Sequence, residues 1–299
     1  MHRDVPDALR RISAELVKPV PAGIYAIAKT IVTNHVRGVA AVLAYGSCIR
    51  DASLEESLID LYVLTRRLED VSTSIVSRLA CRLLPPNVYY AECSHAGQTL
   101  RSKFAVMTLS DFAAQMKSST RMPYFWARFA QPSRLVYAAD ETCRRRVEGA
   151  IAEAAFTMLR ESRQLAPPSE DPLHAITRCL KASYATELRA EKSGRAESIV
   201  AATRSYYGDL SELVETIDLS GDKTMVERLW RRRQAKGKLL SVARLIKAGF
   251  TFEGGADYLA WKIRRHSGEV LVMSSWHRRH PVLTGLMLLP KMLRKGAVR

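Results

Sequence analysis

Gly46, Ser47 and Asp60 are the residues of this chain whose types and spacing could do chemistry. The stretch Val39 to Leu64 reads VAAVLAYGSCIRDASLEESLIDLYVL: one apolar run ends at Tyr45, Gly46-Ser47 follows, and a second apolar run carries Asp60. A glycine and a serine just past a strand let backbone N–H groups and one hydroxyl approach a triphosphate. An acid on the neighbouring strand can hold the magnesium that bridges the phosphates. Gly-Ser alone also punctuates ordinary turns. Twelve residues, Cys48 to Ile59, separate Ser47 from Asp60, which interrupts the run Leu58, Ile59, Leu61, Tyr62, Val63, Leu64. A carboxylate inside an apolar strand is costly unless it is paired, hydrogen-bonded or metal-bound. Asp60 is therefore expected either to hold a cation or to pair with one of the many arginines, and the order of the residues suits nucleotidyl transfer.

Holding these residues in place requires strands, and the apolar patterning supplies them. It predicts helices over Asp7 to Val17 and Gly23 to His35, then strands over Val39 to Tyr45 and Leu58 to Thr65. A helix over Val71 to Leu84 ends before Pro85-Pro86, and strands follow over Val88 to Glu92 and Ser102 to Thr108. Ser110 or Asp111 opens another helix, and Pro123 and Pro132 bracket a short helix or turn. A strand over Arg134 to Tyr137 precedes a long helix, Glu141 to Ser162, with Ala150, Ile151, Ala154, Ala155, Met158 and Leu159 on one face. The core is α/β. The proline-rich loop Gln164 to Pro172, QLAPPSEDP, is the expected boundary between residues 1–163 and a mostly helical domain, 164–275. Within the latter, apolar residues recur at helical spacing through Leu173 to Leu188, Ile199 to Val214 and Met225 to Ile246.

Composition narrows the partners. With 299 residues, 47% hydrophobic and 25% charged, the chain has material for two folded domains. Five scattered cysteines without CxxC spacing signal neither a zinc cluster nor a disulfide framework, and His277 and His280, flanking Arg278-Arg279, predict no zinc either. The partly acidic N-terminus, MHRDVPDALRRISAELV, has neither the apolar core of a signal peptide nor an Arg- and Ser-rich transit pattern, so a bacterial cytoplasmic setting is expected. Net charge is +16, and Arg228 to Arg299 holds seventeen Lys or Arg against three acids, which makes the partner anionic: nucleic acid, or an acidic lipid surface. The final segment, 276–299, favours lipid. Its apolar run Val282 to Leu289 is far shorter than the ~20 residues of a spanning helix. Trp276 would sit at headgroup depth, with Arg278, Arg279, Lys291, Arg294 and Lys295 beside anionic headgroups, each contributing about 1 kcal/mol. The alternative is a terminal helix packing Leu286, Leu288, Leu289 and Leu293 on its own domain.

Ala44-Tyr45-Gly46-Ser47 and Leu58-Ile59-Asp60 are followed in order by Asn87-Val88-Tyr89-Tyr90, Lys103-Phe104-Ala105-Val106, the stretch Tyr124 to Pro132 and the stretch Ala154 to Ser162. This series resembles the DNA polymerase beta-like nucleotidyltransferase superfamily. Within it, the chain is similar over residues 40 to 165 to the mitochondrial translocator-assembly-and-maintenance family of CDP-diacylglycerol synthases. The resemblance implies a nucleotidyltransferase-like mixed sheet with flanking helices, a mostly helical C-terminal domain and a short amphipathic C-terminal helix. It implies a magnesium-dependent phosphatidate cytidylyltransferase, peripheral to the cytoplasmic face of the inner membrane, that joins CTP to phosphatidic acid. Tyr45, Gly46 and Ser47 would bind the nucleotide, Asp60 the magnesium, and Lys103 and Arg128 would neutralise phosphate charge. Glu92 is the first candidate for a second metal ligand, with Glu55, Glu56 or Asp51 as alternatives. The chain departs from the pattern twice. Thr65 to Val88 lacks the family's Trp-His and His-Tyr-Ser features, and Leu58 and Tyr62 flank Asp60 where the superfamily usually places a second acid one residue away. Two other readings keep the fold: transfer to RNA or a small-molecule acceptor, and a non-catalytic membrane- or RNA-binding adaptor.

Overall fold

A computed structural model describes residues 4–49, 58–167, 169–187, 194–215, 223–251, 260 and 274–279. In chain order the elements are α1 (Asp4–Leu16), α2 (Ala22–Asn34), β1 (Val39–Tyr45), β2 (Leu58–Thr65), α3 (Ile75–Leu83), β3 (Asn87–His95), β4 (Gln98–Thr108), α4 (Leu109–Gln115), α5 (Tyr124–Phe129), β5 (Ser133–Ala138) and α6 (Glu141–Leu165). Then come α7 (Pro172–Tyr184), α8 (Arg195–Ala202), α9 (Arg204–Glu215), α10 (Lys223–Thr251) and a five-residue helical segment, Ser275–Arg279.

The fold is mixed α/β. Five strands form one sheet in the order β3-β4-β2-β1-β5, with β2 and β4 parallel and the other pairs antiparallel. β1 and β2 are apolar on nearly every residue because both of their faces are covered: Val39 to Ala44 and Leu61 to Leu64 are buried. His35, at the end of α2, meets Phe104 on one face, and α2 packs along β3, β4 and β5. The other face carries Tyr62, whose ring meets Phe112 of α4 and Phe125 and Phe129 of α5. One connected apolar cluster extends from Ile12 to Trp230, and Trp126 and Trp230 meet edge to face at 6.3 Å.

Several boundaries move from those the sequence predicts, each for a local reason. α4 begins at Leu109 because the Thr108 hydroxyl accepts from the Asp111 N–H, which makes Thr108 the cap. β3 runs on to His95 and β4 starts at Gln98, since Ala96 and Gly97 both take positive φ and close a two-residue hairpin. The apolar run Ile199 to Val214 is two helices, parted at Thr203, whose hydroxyl folds back onto the Ile199 carbonyl. α3 places its small residues Ser77 and Cys81 inward, while Ile75, Val76, Leu79 and Leu83 are each more than half exposed.

α10 reaches from the helical layer back to the sheet. Near its middle, Arg233 forms a two-pronged ion pair with Glu161 of α6, at 2.7 and 3.0 Å, and donates to the Ser118 carbonyl. Gly237 lies against the residue that follows α7's last turn: a Cβ there would stand 2.6 Å from the Thr186 carbonyl oxygen and 2.7 Å from its Cβ. Toward the C-terminal end, the Lys247 ammonium donates to the carbonyls of Leu84 and Pro86 and to Asn87 Oδ1. Among the described residues, no helix is long and apolar enough to cross a membrane. Gly237→Val should force α10 off Thr186 and lower the unfolding free energy by about 1–3 kcal/mol, the usual cost of overpacking, measured by urea denaturation.

Candidate functional site

The site begins where β1 ends. After Tyr45 the chain turns at Gly46 with φ +85° and enters a single helical turn, Ser47–Ile49. Such a φ suits glycine, and the turn lies over Asp60: a Cβ on Gly46 would be 3.7 Å from Asp60 Oδ2. Cys48, buried next to this pair, donates its thiol to the Tyr45 carbonyl at 3.2 Å. Burial pushes that thiol up to about 11; a hydrogen bond with the Asp60 backbone pulls against this and the Asp60 charge adds to it.

Strand register then sets out a row of side chains. Ala44 pairs with Leu61, so the next step along the ladder sets Tyr45 beside Asp60, while Asp60 pairs with Lys103 and Lys103 with Tyr90. Paired residues share a sheet face. Tyr45, Asp60 and Lys103 are thus adjacent on three neighbouring strands, beneath the turn that carries Gly46 and the exposed Ser47.

Tyr45 and Lys103 of this row line a cavity of about 370 Å³ whose walls also include Tyr62, Tyr124, Arg128, Glu187, Arg244 and Lys247. Arg128, from α5, donates to the Tyr62 hydroxyl at 3.2 Å and lies over the rings of Tyr45 and Tyr124, at 5.4 and 5.2 Å. Arg244, from α10, also lies over Tyr124, 4.3 Å from its ring centre. The Glu187 carboxylate stands 4.0 Å from Arg128 and 3.7 Å from Arg244; the three side chains are 8%, 12% and 16% exposed respectively. Burial works against the Arg128 charge, but Tyr45, Tyr62, Glu187 and Tyr124 outweigh it, and the guanidinium stays protonated. Burial also raises the Tyr62 and Tyr124 phenols. Lys247 is pushed down to about 8 by burial, with Cys81 opposing and the Arg244 charge reinforcing the shift.

Glu92 is not brought beside Asp60. It pairs with Arg101, which in turn lies opposite Leu58, so two strand spacings, about 10 Å, separate it from β2. Its carboxylate accepts from the Tyr90 hydroxyl at 2.6 Å and from Arg101 at 3.1 Å. Asp51, Glu55 and Glu56 fall outside the described residues, among which no group of three His, Cys, Asp or Glu could hold a metal. The half-buried Asp60 offers one carboxylate, which fits a magnesium ion whose remaining ligands are substrate phosphates and water. Where the resemblance leads one to expect a second acid, Tyr62 takes a hydrogen bond from a guanidinium. Trp276 is exposed, in the segment that also carries Arg278 and Arg279, whereas Lys291, Arg294 and Lys295 lie outside the described residues.

Tyr124, Glu187, Arg244 and Lys247 were not singled out by the sequence. Arg244 and Lys247 stand three apart on a basic helix, where nothing in the sequence sets them apart from its other cations; their packing against α5 and β3 does so.

No family model matches this sequence, and no curated protein does. Among solved structures the chain is similar to a nucleotidyltransferase-like protein from Exiguobacterium sibiricum 255-15, at 13% identity over 91% of this chain and 92% of that one, with a TM-score of 0.27. A likeness of that degree carries no weight for the chemistry, which rests on the residues of the site.

Lys247 titrates at about 8 when folded, against an ordinary 10.5, so between those values the unfolded chain binds more protons and stability rises with pH. The penalty is fully present below about pH 8. Relative to Lys247→Met, the wild type should therefore gain about 2 kcal/mol of unfolding free energy from pH 8 to pH 10, measured by urea denaturation at each pH.

Proposed function

We propose that this chain is a magnesium-dependent nucleotidyltransferase, and that its reaction is CTP plus phosphatidic acid giving CDP-diacylglycerol and pyrophosphate. The observation that carries the reading is the Asp60 carboxylate set under the Gly46 turn, with its strand neighbours Tyr45 and Lys103 lining a cavity walled by further cations. The Gly46-Ser47 turn offers N–H groups and a hydroxyl to the triphosphate, Tyr45 borders the nucleotide, and Lys103 and Arg128 neutralise phosphate charge. A bound magnesium, held by Asp60 and the nucleotide's own phosphates, would supply charge neutralisation at the triphosphate. An oxygen of the acceptor phosphate attacks the α-phosphorus in line, the new P–O bond forms, and the bond to the β-phosphate breaks with pyrophosphate leaving. The attacking oxygen is already ionised near neutral pH, so no general base is needed; orientation and preorganised charge carry the rate.

A lipid acceptor is favoured over RNA by the outward face of α3. Ile75, Val76, Leu79 and Leu83 are exposed there, with Arg82 on the same surface. An apolar helix face edged by a cation suits the interface of an anionic membrane. Lys247 joins this helix to the cavity wall by bonding the Leu84 carbonyl just past its end. The chain would then act as a peripheral protein at the cytoplasmic face of the inner membrane. Residues 1–163 would form the catalytic domain, 164–275 a helical domain that closes the cavity, and 276–299 a second membrane contact.

Purified protein given labelled CTP, magnesium and vesicles containing phosphatidic acid should form CDP-lipid, and Asp60→Asn should reduce the rate by a factor of about 10² or more. Label appearing on RNA and not on lipid would replace the acceptor, and vesicle binding without turnover would replace the enzyme by an adaptor. Leu79→Glu with Leu83→Glu should reduce co-sedimentation with the same vesicles while leaving the circular dichroism spectrum unchanged.

A further inference from the structure

We infer that the cavity between the sheet and α10 is a phosphomonoester site, in which Arg128, Arg244 and the Tyr124 hydroxyl hold a phosphate dianion without a divalent ion, the Lys247 charge acting from the wall. This deepens the transferase reading, because the acceptor there is a phosphomonoester, and it assigns that acceptor to residues of α5 and α10 rather than to Asp60.

Charge is the first ground. Two guanidinium and two ammonium groups, counting Lys103, border one space, and among the described residues Glu187 is the one carboxylate in its lining. Glu187 lies at 3.7 and 4.0 Å from the two guanidinium groups, beyond the 2.7–2.9 Å of a close charge-assisted hydrogen bond. Positive charge that is nearly buried and only partly balanced is costly, and an incoming dianion removes that cost.

The second ground is independent of charge. Tyr124 lines the same cavity, the residue is 2% exposed, and its buried hydroxyl has no hydrogen-bond partner among the described residues. A buried O–H left without an acceptor is a donor that a ligand oxygen would complete. The cations are also held in place before any ligand arrives. Arg128 is fixed by Tyr62 and by two ring faces, Arg244 by the Tyr124 face and the Ser241 hydroxyl at 3.0 Å, and Lys247 by three oxygen acceptors. Preorganised planar guanidinium groups suit phosphate oxygens. Ala105, Val88 and Ala248 add apolar wall, and about 370 Å³ exceeds a bare phosphate, leaving room for the first carbons of its ester.

The test uses the full chain in EDTA with no CTP. Calorimetric titration with glycerol 3-phosphate reads the soluble source. Co-sedimentation with phosphatidylcholine vesicles carrying phosphatidic acid reads the lipid source, with phosphatidylglycerol vesicles of equal charge as control. Glycerol 3-phosphate should bind, and phosphatidic acid should be retained over phosphatidylglycerol in competition with it. Arg244→Gln should weaken binding about tenfold or more, and Tyr124→Phe, which changes only the hydroxyl, about three- to tenfold. Asp60→Asn should leave EDTA binding intact. Binding of glycerol 3-phosphate without preference for phosphatidic acid supports the site with a soluble ligand and removes the lipid acceptor. A strict requirement for magnesium, or unchanged affinity in both Arg244→Gln and Tyr124→Phe, overturns the inference. Anion binding that persists in a protein showing no CTP turnover sinks the transferase reading and leaves this one standing.

Discussion

Everything at the site depends on the register of β2 between β1 and β4. The strand is buried on both faces, and its side chains alternate between the layer under α2 and the layer under α4 and α5. A slip of one residue would exchange the two sets. Asp60 would then face the dry layer opposite, and Ile59 or Leu61 would sit under the Gly46 turn. Pairing of Asp60 with Lys103 on one side and of Leu61 with Ala44 on the other removes that freedom, so the carboxylate is held by the same ladder that builds the core.

α10 converts that row into a cavity. Its Arg233 reaches Glu161 in the helical layer and its Lys247 reaches the carbonyls before β3, so the helix is fixed at two places and Arg244 is delivered between them. A buried ion pair by itself contributes little net stability compared with well-packed apolar side chains. The gain here is in orientation: the pair fixes which side of a highly basic helix turns inward. Tyr124 and Tyr45 then provide flat faces on which the guanidinium groups rest, which orients their N–H edges without neutralising them.

Much of the scaffold was legible. β1 and β2 match the predicted spans because a continuous apolar run bounded by turn residues has few other outcomes, and Gly46, Asp60 and Lys103 are brought together as their order in the motifs implied. The hairpin at Ala96-Gly97 was missed because its strands are polar toward their exposed ends and its turn lacks the usual Asn-Gly pair. Tyr62 looked like another apolar strand residue; that its hydroxyl meets Arg128 is a tertiary fact. Arg244 and Lys247 were hidden for the same reason, since helical periodicity reveals which residues share a stripe but not which stripe faces a partner. The apolar stripe of α3 shows the converse, with the greasy side outward.

The cavity's floor is made early in the chain and its far wall almost at the end of the described residues, with α3 to α9 between β2 and α10. During synthesis, the Gly46 turn and Asp60 would emerge and fold well before α10 exists. A half-made chain therefore has Asp60 but only part of the positive enclosure that Arg244 and Lys247 complete. Assembly order thereby leaves a nascent or clipped molecule with an open acidic strand, and the positive enclosure around it arrives only with α10.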